Sequence, residues 1–450
     1  MNITSFKAYD VRGRIPDELN EDIAYRIGNA VVEYLGAKSI VVGRDIRESS
    51  DILTQAAIRG ITDAGATALD IGLGGTEMVY FGTGHLEADG GIMITASHNP
   101  ADYNGLKIVR REARPISGDT GLAEIREFAE RDQRVISVNP GVVETRDILV
   151  PYIEKLLSQV DTSAMKPLKI VANPGNGGAG IAVDPLIENL PFDVVKMHYE
   201  ADGSFPNGVP NPMLEENRQS TSQRVLAENA DMGVAWDGDF DRCFFFDETG
   251  RFVEGYYLVA LLAESVLKQS AGEAIVYDPR LVWATEEVVA KFGGKAVLSQ
   301  SGHSFMKDVM RENDAAYGGE MSAHHYFRDF YYCDSGMIPW LLVAQLISES
   351  GKSLSQLVDD CIVAFPISGE INRRVDDAQE TISRIRAQYE AAADSISTID
   401  GVSMSFDNWR FNLRASNTEP VIRLNIESLG DADLVALKTK ELLDLIGGTS

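Results

Sequence analysis

The chain is 450 residues long, with 41 lysines and arginines against 68 aspartates and glutamates, a formal charge of -27. An excess of that size excludes attraction of a polyanion to the surface as a whole, so nucleic acid is not an expected partner, and a phosphorylated small molecule would need basic residues gathered locally. A hydrophobic fraction of 44% with 24% charged residues excludes extended disorder, and the length exceeds one ordinary core. Three widely spaced cysteines, Cys243, Cys333 and Cys361, fit neither a disulfide framework nor a zinc site and point to a reducing compartment. The start lacks an apolar leader, and the apolar runs 256–263 and 338–347 are too short to span a bilayer, so the expected location is cytoplasmic with no membrane partner.

In chain order, a polar and aromatic segment, Lys7 to Gly13 with Arg12 inside it, precedes a helical pattern over Glu21 to Leu35. A strand-like run from Ser39 to Gly43, a charged turn Arg44-Asp45-Ile46-Arg47, a helical stretch over about 50–64 and a strand over 66–71 then form a strand-helix-strand unit. The same order recurs over 168–199 and again over 274–298, which predicts three similar α/β domains. The end differs: Val421 to Glu427 alternates apolar and polar residues before a helical pattern over 433–445, as in a smaller sheet-plus-helix domain. Turn-rich segments near Pro140, Glu248 and Pro366 divide the chain into 1–140, 141–248, 249–366 and 367–450.

Four stretches carry candidate chemistry. Thr95-Ala96-Ser97-His98-Asn99-Pro100 closes the apolar run Ile92-Met93-Ile94 and presents Ser97 on a turn, the rim position where open α/β folds bind ligands. The G-x-S-x-G elbow of esterases is absent, because Thr95 and Asn99 stand at the glycine positions. Ser97 therefore reads as a phosphate carrier. In Asp237-Gly238-Asp239-Phe240-Asp241-Arg242 the carboxylates alternate, and an extended segment would turn all three to one side to hold a hard cation, Mg2+ being the expected one. A calcium EF-hand is excluded by Arg242 at the position that needs glycine. In Gly319-Glu320-Met321-Ser322-Ala323-His324 the same alternation would align Glu320, Ser322 and His324 on one face, suited to sugar hydroxyls. Finally, Arg414 with Ser416, Asn417 and Thr418 resembles a phosphate cradle.

One pattern speaks for another class. Gly175-Asn176-Gly177-Gly178-Ala179-Gly180 fits the dinucleotide fingerprint of an oxidoreductase, but Pro174 intrudes after the strand, and a tight turn with close helix packing is the preferred reading. A third class, a non-catalytic sugar-phosphate sensor, would keep its biological function without the Ser97 hydroxyl.

Taken together and in this order, the four stretches resemble the signature loops of the α-D-phosphohexomutase family. The resemblance covers essentially the whole chain and implies four domains around a central cleft, three related α/β domains and a final one of different fold, each contributing one loop. Met321, within a run that continues through Arg328-Asp329-Phe330-Tyr331-Tyr332-Cys333-Asp334, resembles bacterial phosphomannomutases serving GDP-mannose synthesis for surface polysaccharide, with a dual mannose and glucose mutase as the alternative.

The resemblance also implies roles. Ser97 would carry the phosphoryl group exchanged with mannose 1-phosphate or mannose 6-phosphate, through a hexose 1,6-bisphosphate that also serves as activator. Ser97 with Asp237, Asp239 and Asp241 would hold Mg2+, Arg242 and Lys107 would add positive charge, and Lys107, Arg12 or His303 would accept the proton of the attacking hydroxyl. Glu320, Ser322 and His324 would grip the sugar, and Arg414, Ser416, Asn417 and Thr418 the non-reacting phosphate. Arg280, in Asp278-Pro279-Arg280, stands where many relatives offer a lysine. The oligomeric state is not legible in the sequence.

Overall fold

The computed structural model describes residues 2–280, 282–415 and 421–448. The chain forms two compact units, one of Met1–Phe252 with Ala323–Leu354, the other of Val253–Ser322 with Ser355–Ser450.

The first unit opens with β1 (Val11–Arg14), α1 (Glu21–Leu35), β2 (Ser39–Arg44), α2 (Ser50–Asp63), β3 (Thr67–Leu73), α3 (Thr76–His85), β4 (Gly90–Ile94) and β5 (Tyr103–Arg110). The bounds of α1 follow from its caps. Asn20 accepts the Ile23 N–H at 3.1 Å, Glu21 and Asp22 sit in the first turn, and Gly36 ends the helix with a φ of 58°. Its apolar face, including Ile23, Ile27 and Val31, is buried in a continuous core with Ile40, Val42, Leu53, Ile61, Ile92 and Leu106. The sheet runs β1-β5-β4-β2-β3 and continues to the strand Val143–Thr145, with β2 parallel to both β3 and β4. Strands buried on both faces read as apolar runs, which is why β2 and β4 are legible in the sequence.

Two elements differ from the sequence expectation. Residues 103–110, for which the sequence pattern gives no strand, form β5, which pairs antiparallel with β4 and with β1. Part of the polar segment before α1 is therefore a strand, and Lys107 projects from one. Helix α3 carries no apolar stripe because Thr76 through Thr83 are all buried, and a helix buried all round shows no 3.6-residue signal.

The strand-helix-strand unit recurs twice as expected. In the first unit Lys169–Asn173 is parallel to Asp193–Lys196 across the helix Gly180–Ile187, and continues through Met232–Trp236 to its hairpin partner Cys243–Asp247. In the second unit Ala274–Tyr277 is parallel to Lys295–Leu298 across the helix Trp283–Lys291, and to Tyr317–Gly319 on its other side. The C-terminal sheet is antiparallel throughout, in the order Ile371–Arg374, Val421–Ser428, Trp409–Ala415, Val402–Ser405, Ser395–Ser397. The helices Ala378–Tyr389 and Ala432–Ile446 cover it, over a core centred on Phe411, Leu413, Leu424 and Leu442. Among the described residues no helix is long and apolar enough to cross a membrane.

Candidate active site

Ser97 follows β4 and is 2% exposed, with a φ of 51°, a left-handed conformation that a non-glycine residue adopts only when its surroundings enforce it. Those surroundings are specific. The Arg47 guanidinium donates to the carbonyls of Ser97 (2.8 Å), Asn99 (2.7 Å), Pro100 (2.7 Å) and Tyr103 (3.0 Å), and the Ser97 N–H donates to Thr95 Oγ1 at 2.9 Å. One buried fork thus fixes the whole turn. The hydroxyl it presents lies 2.8 Å from Asp237 Oδ2 and 3.0 Å from His98 Nδ1.

The three aspartates are all buried, and their oxygens lie within 4.8 Å of one another. They do not converge by alternation along an extended strand, as the sequence suggests. The strands Met232–Trp236 and Cys243–Asp247 end in register at Trp236 and Cys243, so 237–242 is the connecting turn of a hairpin, with Phe240 at a φ of 46°. The glycine-rich run 175–180 packs behind it: the Gly178 N–H donates to the Gly238 carbonyl at 3.1 Å, and a Cβ on Gly177 would stand 3.0 Å from that oxygen. The run is thus a tight turn with close packing.

Buried like charges need compensation. Lys107 Nζ donates to Asp239 Oδ2 at 2.7 Å and Asp241 Oδ2 at 2.5 Å, and Arg242 donates to Asp237 Oδ2 through Nη2 at 2.7 Å and Nε at 3.0 Å. Burial alone would pull the Lys107 ammonium down, but Asp239 and Asp241 outweigh it and hold the amine protonated. Burial likewise opposes ionisation of Asp239, and the Lys107 charge overcomes it, holding that carboxyl far below its usual range. Asp237 is pushed up, because its burial is only partly countered by Arg242. Asp239 Oδ1 and Asp241 Oδ1 are buried and, among the described residues, accept no hydrogen bond. Three carboxylates with two such oxygens fit a hard divalent cation.

Other residues gather here. His98 is pushed well below its usual range by burial and then by Arg242 and Arg12, so its neutral ring accepts from Arg242 Nη2 at 2.5 Å. Arg12 donates to Asp10 at 2.8 Å and to Asn99 Oδ1 at 2.5 Å, which ties it to the serine turn. His324 Nε2 stands 3.9 Å from Asp241 Oδ1.

A second polar cluster lies within the other unit. Arg280 donates to Asp278 Oδ2 at 2.6 Å and approaches Glu370 Oε2 at 3.3 Å and Glu320 Oε1 at 3.7 Å. Glu320 Oε1 accepts the Gly302 N–H at 2.7 Å, immediately before His303 opens the helix His303–Glu312. Arg414 donates to Glu370 Oε2 at 3.1 Å, and Arg423 lies 3.5 Å from Glu370 Oε1. Glu320, Ser322 and His324 do not share a strand face, because 320–324 is a turn in which Ala323 has a φ of 68°. Ser416, Asn417 and Thr418 lie outside the described residues.

Four models of the phosphoglucomutase/phosphomannomutase family match the chain: α/β/α domain I at residues 4–135, domain II at 150–250, domain III at 254–365 and the C-terminal domain at 370–444. The chain belongs to this family. It is 54% identical over 448 residues to the phosphohexose mutases of Xanthomonas campestris pv. campestris strain B100, covering 100% of both chains. It is equally 54% identical to the phosphomannomutase of Salmonella montevideo, over 99% of both. A crystal structure of a phosphoglucomutase/phosphomannomutase family protein from Burkholderia thailandensis superposes with a TM-score of 0.88 at 30% identity, covering 99% of this chain and 98% of that one. The chain is thus an intramolecular phosphotransferase with the four-domain phosphohexomutase architecture, and its relatives act on hexose phosphates.

Sequence reasoning passed over Arg47, His98 and Glu370. The charged turn 44–47 and the serine motif held signals for the first two, but their partners are set by the fold. Arg47→Ala should lower turnover about 100-fold, the cost of misplacing a reacting group by about 1 Å, with Arg47→Lys recovering little because an ammonium cannot serve four carbonyls. Steady-state kinetics of both variants would check this, and wild-type turnover in Arg47→Ala would show that the turn holds without the clamp.

Glu370 generates a pH prediction. Burial pushes its carboxyl up, but Arg280, Arg414 and Arg423 outweigh that and hold it down at about 2, below its ordinary 4.5. A depressed carboxyl contributes stability above the unfolded value and loses it as pH falls through the folded one, here between 4.5 and about 2. The loss should amount to about 3 kcal/mol, and Glu370→Gln should remove it. Urea unfolding of both proteins across that window reads the difference.

Proposed function

We propose that the chain interconverts mannose 6-phosphate and mannose 1-phosphate through a phosphoserine at Ser97 and a mannose 1,6-bisphosphate intermediate, in the cytoplasm, supplying GDP-mannose synthesis. The observation that carries this reading is the buried, left-handed Ser97, whose hydroxyl meets the aspartate turn at 2.8 Å. In the forward half-reaction the phosphorus–Oγ bond of phosphoserine breaks, a sugar hydroxyl oxygen forms the new bond to phosphorus, and the hydroxyl proton passes to a base. The bisphosphate, which also primes the enzyme as activator, then returns its other phosphate to Ser97.

Phosphoryl transfer is mainly positioning and electrostatic stabilisation. Arg47 holds the serine turn, and Arg242, Lys107 and Arg12 supply cationic charge for the moving group. Asp237, Asp239 and Asp241, with Ser97, would hold Mg2+, which when bound supplies further positive charge to the phosphoryl oxygens. Lys107 and Arg12 are held as cations by their carboxylate partners, so their part is charge stabilisation. His303, the one imidazole among the three, is the better proton acceptor, since imidazole is the side chain best suited to general-base work. Glu320, Ser322 and His324 take the sugar hydroxyls. Arg280 and Arg414 take the non-reacting phosphate, with Ser416, Asn417 and Thr418.

Mannose is favoured by Met321 in the sugar loop and by relatives named phosphomannomutase at 50–54% identity. A dual mannose and glucose mutase is the second reading, favoured by the Xanthomonas relative named for phosphohexoses. Phosphorus NMR of mannose 1-phosphate and glucose 1-phosphate, with Mg2+ and a trace of hexose bisphosphate, separates the two. Strong preference for mannose is expected, comparable rates make it a dual mutase, and no migration with either removes the assignment. Arg414→Ala should raise KM at least tenfold with a smaller change in kcat, the cost of losing a charge-assisted fork; an unchanged KM would exclude Arg414 from substrate binding.

A further inference from the structure

The first turn of α3 is wedged against the aspartate turn. Thr76 is fully buried, its Oγ1 donates to Asp239 Oδ2 at 2.5 Å, and its backbone N–H donates to the Asp239 carbonyl at 3.1 Å. Lys107 donates to the same Oδ2, so that oxygen holds two donors while Oδ1, equally buried, accepts none. The two oxygens of one carboxylate are thus differentiated. A partial rotation about χ2 would strain both hydrogen bonds on Oδ2, so these donors fix the plane of the carboxylate and hence the direction in which its other oxygen points.

The approach is close enough to specify residue 75. A Cβ on Gly75 would fall 2.6 Å from the Asp239 carbonyl oxygen and against the Phe240 ring. The next residue, Glu77, anchors the helix start. Its Oε1 accepts the Tyr152 and Ser335 hydroxyls, and its Oε2 accepts the N–H groups of Gly336 at 2.5 Å and Met337 at 3.3 Å. The Gly336 carbonyl in turn accepts the Trp236 indole N–H at 2.9 Å, and Trp236 is the residue immediately before Asp237. The start of α3 therefore grips the aspartate turn at two places, at Asp239 through Thr76 and at its entry through Glu77, Gly336 and Trp236.

We propose that Thr76 is a positioning residue for the divalent cation, its hydroxyl locking the Asp239 carboxylate so that Oδ1 faces the metal. This rests on the reading of Asp237, Asp239 and Asp241 as the metal ligands. Lys107 cannot do the same work alone, because its long side chain is shared with Asp241, whereas Thr76 has one torsion and a backbone already bonded to the residue it orients. Partners that orient metal ligands typically contribute about 10- to 100-fold in metal affinity.

The test is calorimetric titration of the full-length protein with Mg2+, and with Mn2+ followed by electron paramagnetic resonance, so that binding is read without turnover. Thr76→Val keeps the shape and removes the hydroxyl, Thr76→Ala removes it without bulk, and Thr76→Ser restores it. Val and Ala should weaken both cations about tenfold or more, and Ser should stay within about threefold of wild type. Activity should show the Mg2+ requirement shifted upward in Val, with kcat approached at saturating Mg2+. Wild-type affinity in either folded variant that lacks the hydroxyl overturns the proposal. Absence of cation binding in the wild-type protein would instead overturn the metal-site reading beneath it.

Discussion

Three carboxylates buried within 4.8 Å of one another are the constraint to which the first unit answers. Each carries a desolvation cost and repels the other two, and neither term relaxes unless cations and donors are fixed nearby. Lys107 reaches in from β5, Arg242 folds back from the end of the same turn, and Thr76 caps Asp239 from α3. Arg242 is local to the turn, but Lys107 and Thr76 lie 132 and 163 residues from Asp239, so the turn is fully compensated only once the sheets and α3 are assembled. The chemistry of the site and the folding of the unit are in this sense one problem. Ser97 shares it, because its hydroxyl is one of the donors to Asp237.

The second unit holds the converse arrangement. Arg280, Arg414 and Arg423 surround a single carboxylate, Glu370, where mutual repulsion of three guanidinium groups would otherwise drive them apart. A carboxylate among arginine forks is the simplest internal substitute for a phosphate, since both accept paired N–H donors. Glu370 thus bridges the three guanidinium groups, while Asp278 and Asp400 pair with Arg280 and Arg414 from their other sides.

What the sequence could disclose follows from how local each signal is. The α1 bounds were legible because Asn20 and Gly36 cap it, and Ala274–Tyr277 with Lys295–Leu298 because turn residues flank short apolar runs. Helix α3 was not, since uniform burial erases helical periodicity, and β5 was not, since Asn104, Gly105 and Lys107 interrupt its apolar residues. The aspartate triplet shows a subtler limit. Residue types and spacing pointed to convergence, but the mechanism is a hairpin turn with a left-handed Phe240, not an extended face. The alternation inferred for 320–324 failed for the same reason, at Ala323. Thr76 and Arg47 escaped because their partners lie 163 and 50 residues away, and no local pattern encodes a contact at that separation.

The two clusters differ in how they can respond to a ligand. In the aspartate cluster the protein's own cation, Lys107, occupies Oδ2 of two carboxylates and leaves their Oδ1 atoms without a donor, so a metal ion need not displace it to find oxygens. In the arginine cluster the protein's own anion, Glu370, accepts directly from the guanidinium groups of Arg280 and Arg414, so those donors are already engaged within the chain. Glu370 is therefore the shared acceptor that keeps Arg280, Arg414 and Arg423 together, as Lys107 is the shared donor that keeps Asp239 and Asp241 together.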